Sequence, residues 1–240
     1  MKITYLDNYQ ELSNKAAEMI YQNIVEKPDL MLCAATGSSP LLTYQKLIEK
    51  YRQNSEVFSK LKVLKLDEWG GISMENKQSC EHFLQTNLVQ PMKIDDLRYI
   101  SFNSNALNKE KECERIDSYI HKKGPIDLCV LGLGLNGHVA FNEPGTFLHA
   151  KSHIVDLTED SLKHPMAKNM GEIPKYGLTI GMADILQSRK IIMLITGKGK
   201  EEKIKEFLSG KISTRLPASF LWLHANTECL IDSESYSLSE

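Results

Sequence analysis

A histidine followed five positions later by a glutamate, His138 and Glu143, is the pair of side chains in residues 132–145 best suited to moving a proton. Histidine exchanges protons near neutral pH, as general acid and base catalysis requires. A carboxylate beside the imidazole can orient it by accepting a hydrogen bond from one ring nitrogen. The pair therefore predicts proton transfer on a small substrate.

The same stretch carries three glycines, Gly132, Gly134 and Gly137, after an apolar run at residues 126–131. The run predicts a strand buried on both faces, and the glycines predict a loop at its carboxyl end, where open α/β sheets bind ligands. Two other interpretations stay open: a tight connection with a structural histidine, or a dinucleotide-binding glycine motif. The second is disfavoured, because residues 141–145 would break the helix that must follow such a motif.

A second polar segment, residues 36–39, lies between an apolar run at residues 30–35 and a helical pattern that starts near Pro40. Free backbone N–H groups and hydroxyls at a helix start form an anion site, so this segment favours phosphate binding. The alternative is that Ser38 or Ser39 only caps the helix. The predicted phosphate-binding residues are Thr36, Gly37, Ser38 and Ser39.

A third polar segment, residues 67–71, is predicted to be a loop that follows a strand at residues 63–66, and it begins with two adjacent carboxylates, Asp67 and Glu68. Acids at such a place are either catalytic or merely solvated. The aromatic ring of Trp69 and the paired glycines that come next favour a functional role.

Two lysines, Lys198 and Lys200, stand near the start of a later predicted helix. The helix dipole disfavours cations there, and a bound phosphate would offset that cost. The alternative is a flexible pair of surface lysines.

Strand patterns alternate with helix patterns along the chain, which predicts an α/β fold with a mostly parallel sheet covered on both faces. No repeat or linker interrupts residues 1–240, so we expect a single domain. Residues 158–176 fit neither pattern and are predicted to form a mobile flap. The predicted strands cover residues 30–35, 63–66, 97–102, 126–131, 152–157, 177–180, 190–196 and 227–231, and the predicted helices cover residues 8–26, 79–89, 107–123, 182–186 and 217–224.

The three polar segments follow three strands of this predicted sheet, so we expect them to lie along one of its edges. Together they would supply a phosphate cradle, a carboxylate and a histidine–carboxylate pair. That set suits proton shuttling on a small phosphorylated metabolite, with no cofactor required.

Composition limits the remaining possibilities. The chain has 240 residues and a formal net charge of -2, which gives no electrostatic reason to expect nucleic acid or an anionic membrane as a partner. No apolar run approaches the roughly 20 residues that span a bilayer. Five scattered cysteines, none in C-x-x-C spacing, argue against disulfides and a zinc site and favour a cytoplasmic location.

Four segments closely resemble the glucosamine/galactosamine-6-phosphate isomerase family, which includes glucosamine-6-phosphate deaminases and, more distantly, 6-phosphogluconolactonases. They are residues 35–40, 66–69, 132–145 and 174–181, and the order Asn-Gly-His then Asn-Glu-Pro in the third is specific. Asp-Glu-Trp at residues 67–69, together with residues 79–84 and 217–224, is similar to the bacterial galactosamine-6-phosphate deaminase/isomerase branch.

This resemblance implies a three-layer Rossmann-like fold and a deaminating isomerisation of a hexosamine 6-phosphate to a ketohexose 6-phosphate plus ammonia. It implies that His138 opens the sugar ring, that Glu143 and Asn136 hold His138, and that Asp67 moves the proton between C2 and C1. It implies no cofactor and no metal. The substrate and phosphate contacts that it implies are Thr36, Gly37, Ser38, Ser39, Gly137 and Lys200, and it implies that Glu68 either contacts the substrate or tunes Asp67.

The chain departs from the family at three places. Many members have Asp where this chain has Asn136, so the imidazolium would depend more on Glu143. An arginine of the phosphate site is missing near residues 166–170, where we expect Lys168 to replace it. The basic positions that bind an allosteric activator in some members have no match at residues 152–155, so we expect no such regulation.

Two rival functions remain, a lactonase and a non-catalytic sugar-phosphate sensor. Pro-Ala-Ser at residues 217–219 hints at a lactonase, whereas the complete Asn-Glu-Pro motif and Asp67 favour isomerisation. The sequence is compatible with a homo-oligomer and leaves the preferred hexosamine open.

Overall fold

The computed structural model describes residues 1–234 and 236, and it contains two sheets. Seven parallel strands form the larger sheet, in the order β1-β10-β9-β6-β2-β3-β5, and three antiparallel strands form the smaller one, in the order β4-β8-β7. The strands are β1 (Lys2–Leu6), β2 (Met31–Ala34), β3 (Lys62–Lys65), β4 (Asp67–Gly70), β5 (Tyr99–Ile100), β6 (Leu128–Gly132), β7 (His153–Val155), β8 (Tyr176–Thr179), β9 (Lys190–Ile195) and β10 (Thr227–Asp232).

Helices cover both faces of the larger sheet, because its central strands are apolar on both sides. Cys33, Cys129 and Met193 pack on one face, and their neighbours Leu32 and Leu128 pack on the other. The predicted three-layer, mostly parallel α/β fold is therefore confirmed. The helices are α1 (Tyr9–Glu26), α2 (Ser38–Gln53), α3 (Cys80–Leu84), α4 (Lys109–Lys123), α5 (Glu159–Leu162), α6 (Pro165–Lys168), α7 (Met182–Leu186) and α8 (Glu201–Leu208), with 3₁₀ helices at Ser55–Phe58 and Pro217–Leu223 and a π-helical turn at Gln85–Val89.

The strand order reverses between β2 and β6. From β2 the chain continues outward to β3 and β5, whereas from β6 it continues to β9 and β10 on the other side. The loops that leave β2 and β6 therefore diverge and open a crevice at the carboxyl edge of the sheet. This crevice is where the polar segments meet.

The smaller sheet corrects one prediction. Residues 67–71 were expected to form a loop, but Asp67–Gly70 is strand β4, whose Asp67 is paired with Thr179 of β8. The partner strand β8 lies far along the chain from β4, so the four residues of β4 carry no local pattern that predicts the pairing. Strand β1 was not predicted either, because it is a short edge strand with a half-exposed pattern.

Residues 158–176, predicted to be a mobile flap, contain the short helices α5 and α6 and lead into β8. Thr158 caps α5 by accepting a hydrogen bond from the Ser161 amide at 3.2 Å. The segment lies over the crevice; its mobility stays a prediction. Across the described part of the chain, no helix is both long and apolar enough to cross a membrane.

Candidate active site

The turn between β2 and α2 builds one wall of the crevice. Gly37 has a φ of 97°, a backbone conformation that favours glycine, and it turns the chain directly into the first turn of α2. Neither Ser38 nor Ser39 caps this helix through its side chain, since both lie inside its first turn. The Ser39 hydroxyl instead accepts a hydrogen bond from the Thr196 hydroxyl at 2.8 Å. The unpaired amides of a helix start are thus available to an anion.

Lys200 is the residue before α8 and lines the same cavity as this turn. Burial lowers the pKa of its ammonium group to about 8, because water no longer stabilises the charge fully. A bound anion would stabilise the charged form of Lys200 in place of the missing water. The turn at residues 36–39 and Lys200 therefore form a site suited to a phosphate group.

His138 and Glu143 form a held pair at the carboxyl end of β6. The Nδ1 atom of His138 lies 3.2 Å from Oε2 of Glu143, and the Asn136 side-chain amide donates to the same oxygen at 2.7 Å. The Ser161 hydroxyl donates to the other oxygen of Glu143. Burial alone would raise the pKa of Glu143, but these hydrogen bonds and the charge of His138 outweigh it and lower that pKa. An ionised Glu143 holds the proton on Nδ1 and leaves Nε2 of His138 for a substrate.

The imidazole ring of His138 packs directly against Gly134, in space that a side chain at residue 134 would occupy. A Cβ atom at this position would stand 2.2 Å from Cδ2 and 2.3 Å from Nε2 of His138. Real Cβ contacts are never that short, so any side chain here would displace the ring. The absence of a side chain at Gly134 therefore allows the imidazole its position in the cavity.

We expect Gly134→Ala to lower kcat by about 10²-fold or more, since a general acid–base group contributes on the order of 10²- to 10⁴-fold when correctly placed. Gly145→Ala is the matched control, because its Cβ would make only ordinary contacts, with Phe147 O at 3.4 Å and with Glu143 O and Phe147 N at 3.9 Å. Steady-state kinetics of both variants, with circular dichroism to check folding, measure the effect. An unchanged kcat in Gly134→Ala would show that the catalytic position of the His138 ring does not depend on a glycine at residue 134.

Asp67 lies across the cavity from the His138 loop, at the first residue of β4. Its side chain is almost fully buried, with 8% exposure. Burial and then the negative charge of Glu68 raise the pKa of Asp67 to about 7, although His138 and Lys65 partly offset them. A carboxylate with such a pKa can both remove and return a proton near neutral pH.

Glu68 has the environment of a residue that tunes Asp67 and not of one that contacts a substrate. It is 0% exposed and does not line the cavity, and its negative charge raises the pKa of Asp67. One oxygen accepts from the ammonium group of Lys65 at 2.6 Å and from the Glu81 amide at 2.8 Å. The other accepts from the amides of Trp69 at 2.8 Å and Cys80 at 2.9 Å. Glu68 thus fixes β4 to the start of α3 directly behind Asp67.

Two other predicted contacts also fall outside the cavity. Gly137 is buried in a turn with a φ of 88°, and its carbonyl accepts from the Ala218 amide at 3.1 Å. A Cβ on it would stand 2.3 Å from Leu216, so its role is to let this turn pack. Lys168 is exposed on α6 and does not line the cavity.

The cavity itself has a volume of about 480 Å³. Glu143 does not line the cavity, and it acts there only through its contact with Nδ1 of His138. Within residues 1–234 and 236, no three His, Cys, Asp or Glu side chains are grouped to hold a metal ion. The predicted site residues that line the cavity are Thr36, Gly37, Ser38, Ser39, Asp67, Asn136, His138 and Lys200.

Several residues that line this cavity were not predicted to do so from the sequence, above all His164, Ser161 and Trp69. Residues 158–176 showed no periodic pattern, so their side chains could not be placed on any face. A histidine directly before a proline, as at His164, was the one local signal available there.

The fold and the cavity define a class: a Rossmann-like α/β protein with one cavity that is lined by a helix-start turn, a histidine paired with a glutamate, and a buried aspartate. Residues 7–231 match the family model described as glucosamine-6-phosphate isomerases/6-phosphogluconolactonase, and the chain belongs to that family.

Relatives of the chain cover nearly its whole length. It is 45% identical to a protein of Escherichia coli (strain K12) named "Putative deaminase AgaI", over 95% of this chain and 90% of that protein. It is 39% identical to the glucosamine-6-phosphate deaminase of Thermoanaerobacter pseudethanolicus, over 99% and 95% of the two chains. Among solved structures, a monomeric glucosamine-6-phosphate deaminase superposes with a TM-score of 0.91 at 36% identity, with 98% of each chain covered.

Proposed function

We propose that this protein is a deaminating isomerase that converts a 2-amino-2-deoxyhexose 6-phosphate and water into a ketohexose 6-phosphate and ammonia. The observation that carries the proposal is that Asp67 and His138 line the same cavity as Lys200 and the turn at residues 36–39, which we call the anion-binding turn. A phosphate held there would place the sugar carbons between the two proton-transfer groups. The deaminases among the relatives support the same reaction.

The first step is ring opening at His138. Its Nε2 accepts the proton of the C1 hydroxyl and returns it to the ring oxygen, while the bond between C1 and that oxygen breaks. The hydrogen bond between Nδ1 and Glu143 stabilises the imidazolium that exists between these two transfers. The product is the open-chain aminoaldose.

The second step is proton transfer by Asp67. Its carboxylate removes the proton from C2 while the C1 carbonyl oxygen takes a proton from the substrate's own ammonium group, which gives a neutral enolamine, and Asp67 then returns its proton to C1. Water adds to the resulting iminium carbon at C2, a proton passes from the added oxygen to the nitrogen, and the nitrogen leaves as ammonium while the C2 carbonyl of the ketose forms. A pKa of about 7 for Asp67 suits a group that must act as base and then as acid.

For the sugar itself we propose galactosamine 6-phosphate, which gives tagatose 6-phosphate, in preference to glucosamine 6-phosphate, which gives fructose 6-phosphate. The support is the Asp-Glu-Trp segment, whose Trp69 is buried in the cavity wall and packs on Phe141 with a ring separation of 4.5 Å. The Pro-Ala-Ser segment at residues 217–219, which favours a lactonase, does not line the cavity. Ser219 is fully buried and donates to the Leu216 carbonyl at 2.6 Å.

Ammonia release from the two hexosamine 6-phosphates, measured side by side with the purified protein, tests this function. We expect one ammonia per ketose 6-phosphate formed and a higher kcat/KM for galactosamine 6-phosphate. Opening of 6-phosphogluconolactone without any ammonia formation would contradict the proposal and favour the lactonase. Tight binding of both sugars without turnover would contradict it in favour of a sensor.

A further inference from the structure

We propose that His164 completes the phosphate site by donating a hydrogen bond from its Nε2 to the substrate phosphate. The inference rests on the proposed function and names a phosphate-binding residue on the segment that covers the cavity. Lys168, the residue expected in this role from the sequence, is exposed and outside the cavity, whereas His164 lines it.

The hydrogen bonding of His164 determines which ring nitrogen can donate. His164 is the residue before α6, and its Nδ1 accepts a hydrogen bond from the Met166 amide at 3.3 Å. An imidazole nitrogen that accepts carries no hydrogen, so the hydrogen of the neutral ring is on Nε2. The free donor of His164 is therefore Nε2.

The position of that nitrogen points to the anion-binding turn. A Cβ on Gly37 would lie 3.7 Å from Nε2 of His164, so this nitrogen stands directly over the turn that leads into α2. The ring of His164 also lies 6.3 Å from that of Trp69 in the cavity wall. A phosphate at the start of α2 would then have the helix amides on one side and the Nε2–H of His164 on another.

Positively charged groups lie near His164, as expected at a site that binds an anion. Burial lowers the pKa of His164, and the positive charges of His138, after β6, and Lys200, before α8, lower it further. Lys198 lines the same cavity, as do the carboxyl groups of Asp67 and of Asp160 on the adjoining α5. A phosphate dianion between His164 and Lys200 would offset the repulsion between the positive charges of Lys200 and His138 and would accept the Nε2 hydrogen of the neutral His164 ring.

The same segment connects phosphate binding to the catalytic pair. Ser161, three positions before His164, donates to Glu143, and its Oγ lies 3.4 Å from Nδ1 of His138. A phosphate that holds His164 therefore also holds Ser161 against Glu143. Binding energy from the remote end of the substrate would in this way support ring opening at His138.

Three substitutions separate the donor of His164 from its capping role. Asparagine can retain the cap through its side-chain oxygen but does not reach the position of Nε2. Glutamine places an N–H near the position of Nε2 and loses the cap. We expect His164→Asn and His164→Ala to weaken binding of inorganic phosphate by about 10- to 100-fold, as for loss of a hydrogen bond to a charged group, and His164→Gln to retain most of the affinity.

Isothermal titration with inorganic phosphate measures this directly, and hexosamine 6-phosphate kinetics should show a raised KM and a lowered kcat for His164→Asn. His121→Ala, an exposed histidine on α4, is the control. Equal phosphate affinity in His164→Asn and the unaltered protein would overturn the proposal, as would a larger loss in Lys168→Ala than in His164→Ala. Because phosphate binding needs no turnover, failure of the proposed deamination and failure of this inference give different results.

Discussion

Replacement of Asp67 by asparagine should reduce turnover by about 10²- to 10⁴-fold while the substrate still binds, because the amide cannot take up the proton from C2. Asparagine has the same shape, so the phosphate contacts at residues 36–39 and Lys200 remain. Steady-state kinetics together with titration of the unreacted sugar phosphate measure both effects. In the unaltered enzyme, kcat/KM should rise as pH increases towards about 7, where Asp67 ionises.

The same substitution should make the protein more stable at alkaline pH. The pKa of Asp67 is about 7 in the folded chain, against an ordinary value of 3.8. Folding therefore favours the protonated carboxyl, and a destabilising cost develops as pH rises from about 4 and is complete above about 7. Removing the charge should raise the free energy of unfolding at pH 8 by a few kcal/mol, on the order expected for this shift, with little change near pH 4.

Asp184→Asn is the matched control for the turnover measurement. Its carboxyl also has a pKa raised by burial, to about 6, but the residue does not line the cavity. We expect it to keep its turnover. If Asp67→Asn kept wild-type turnover, Asp67 would have no place in the mechanism, and equal losses in both variants would point to a general effect of altered folding.

Replacement of Lys65 by methionine should lower the free energy of unfolding by about 3–5 kcal/mol, because it leaves buried carboxylates without their counter-ion. Lys65 and Glu68 are both 0% exposed, and the ammonium group also donates to Glu81 at 2.7 Å and to the Phe102 carbonyl at 3.0 Å. Burial alone would lower the pKa of Lys65, but the two carboxylates outweigh it and raise that pKa. Chemical denaturation at neutral pH measures the loss.

The same change should move the pH profile of the enzyme. The charge of Lys65 holds down the pKa of Asp67, so its removal should shift the acid limb of kcat/KM above about 7. A double variant with Glu68→Gln should regain part of the stability and reverse part of that shift. Lys46→Met, at an exposed pair with Glu49 2.9 Å apart, is the control and should change stability by less than about 1 kcal/mol. A Lys65→Met protein of unaltered stability would show that the buried cluster is not required.

Several features of this protein followed from neighbouring residues alone. The apolar runs that became β2, β6 and β9, the turn before α2 and the loop that carries His138 all depend on local patterns of burial and turn chemistry. For that reason the parallel sheet and the position of the turn before α2 could be predicted. Strand β4 could not, because its pairing with β8 joins residues that are distant in the chain.

The sequence by itself determined an α/β sheet, a glycine-containing loop with His138 five positions before Glu143, and a carboxylate pair after β3. Only the tertiary structure decided how the members of that pair differ. Asp67 is buried in the cavity wall, whereas Glu68 turns away to bind Lys65. It also decided that His164, and not Lys168, covers the anion-binding turn. The physical reason is that burial and charge at each of these side chains come from residues on other strands and helices.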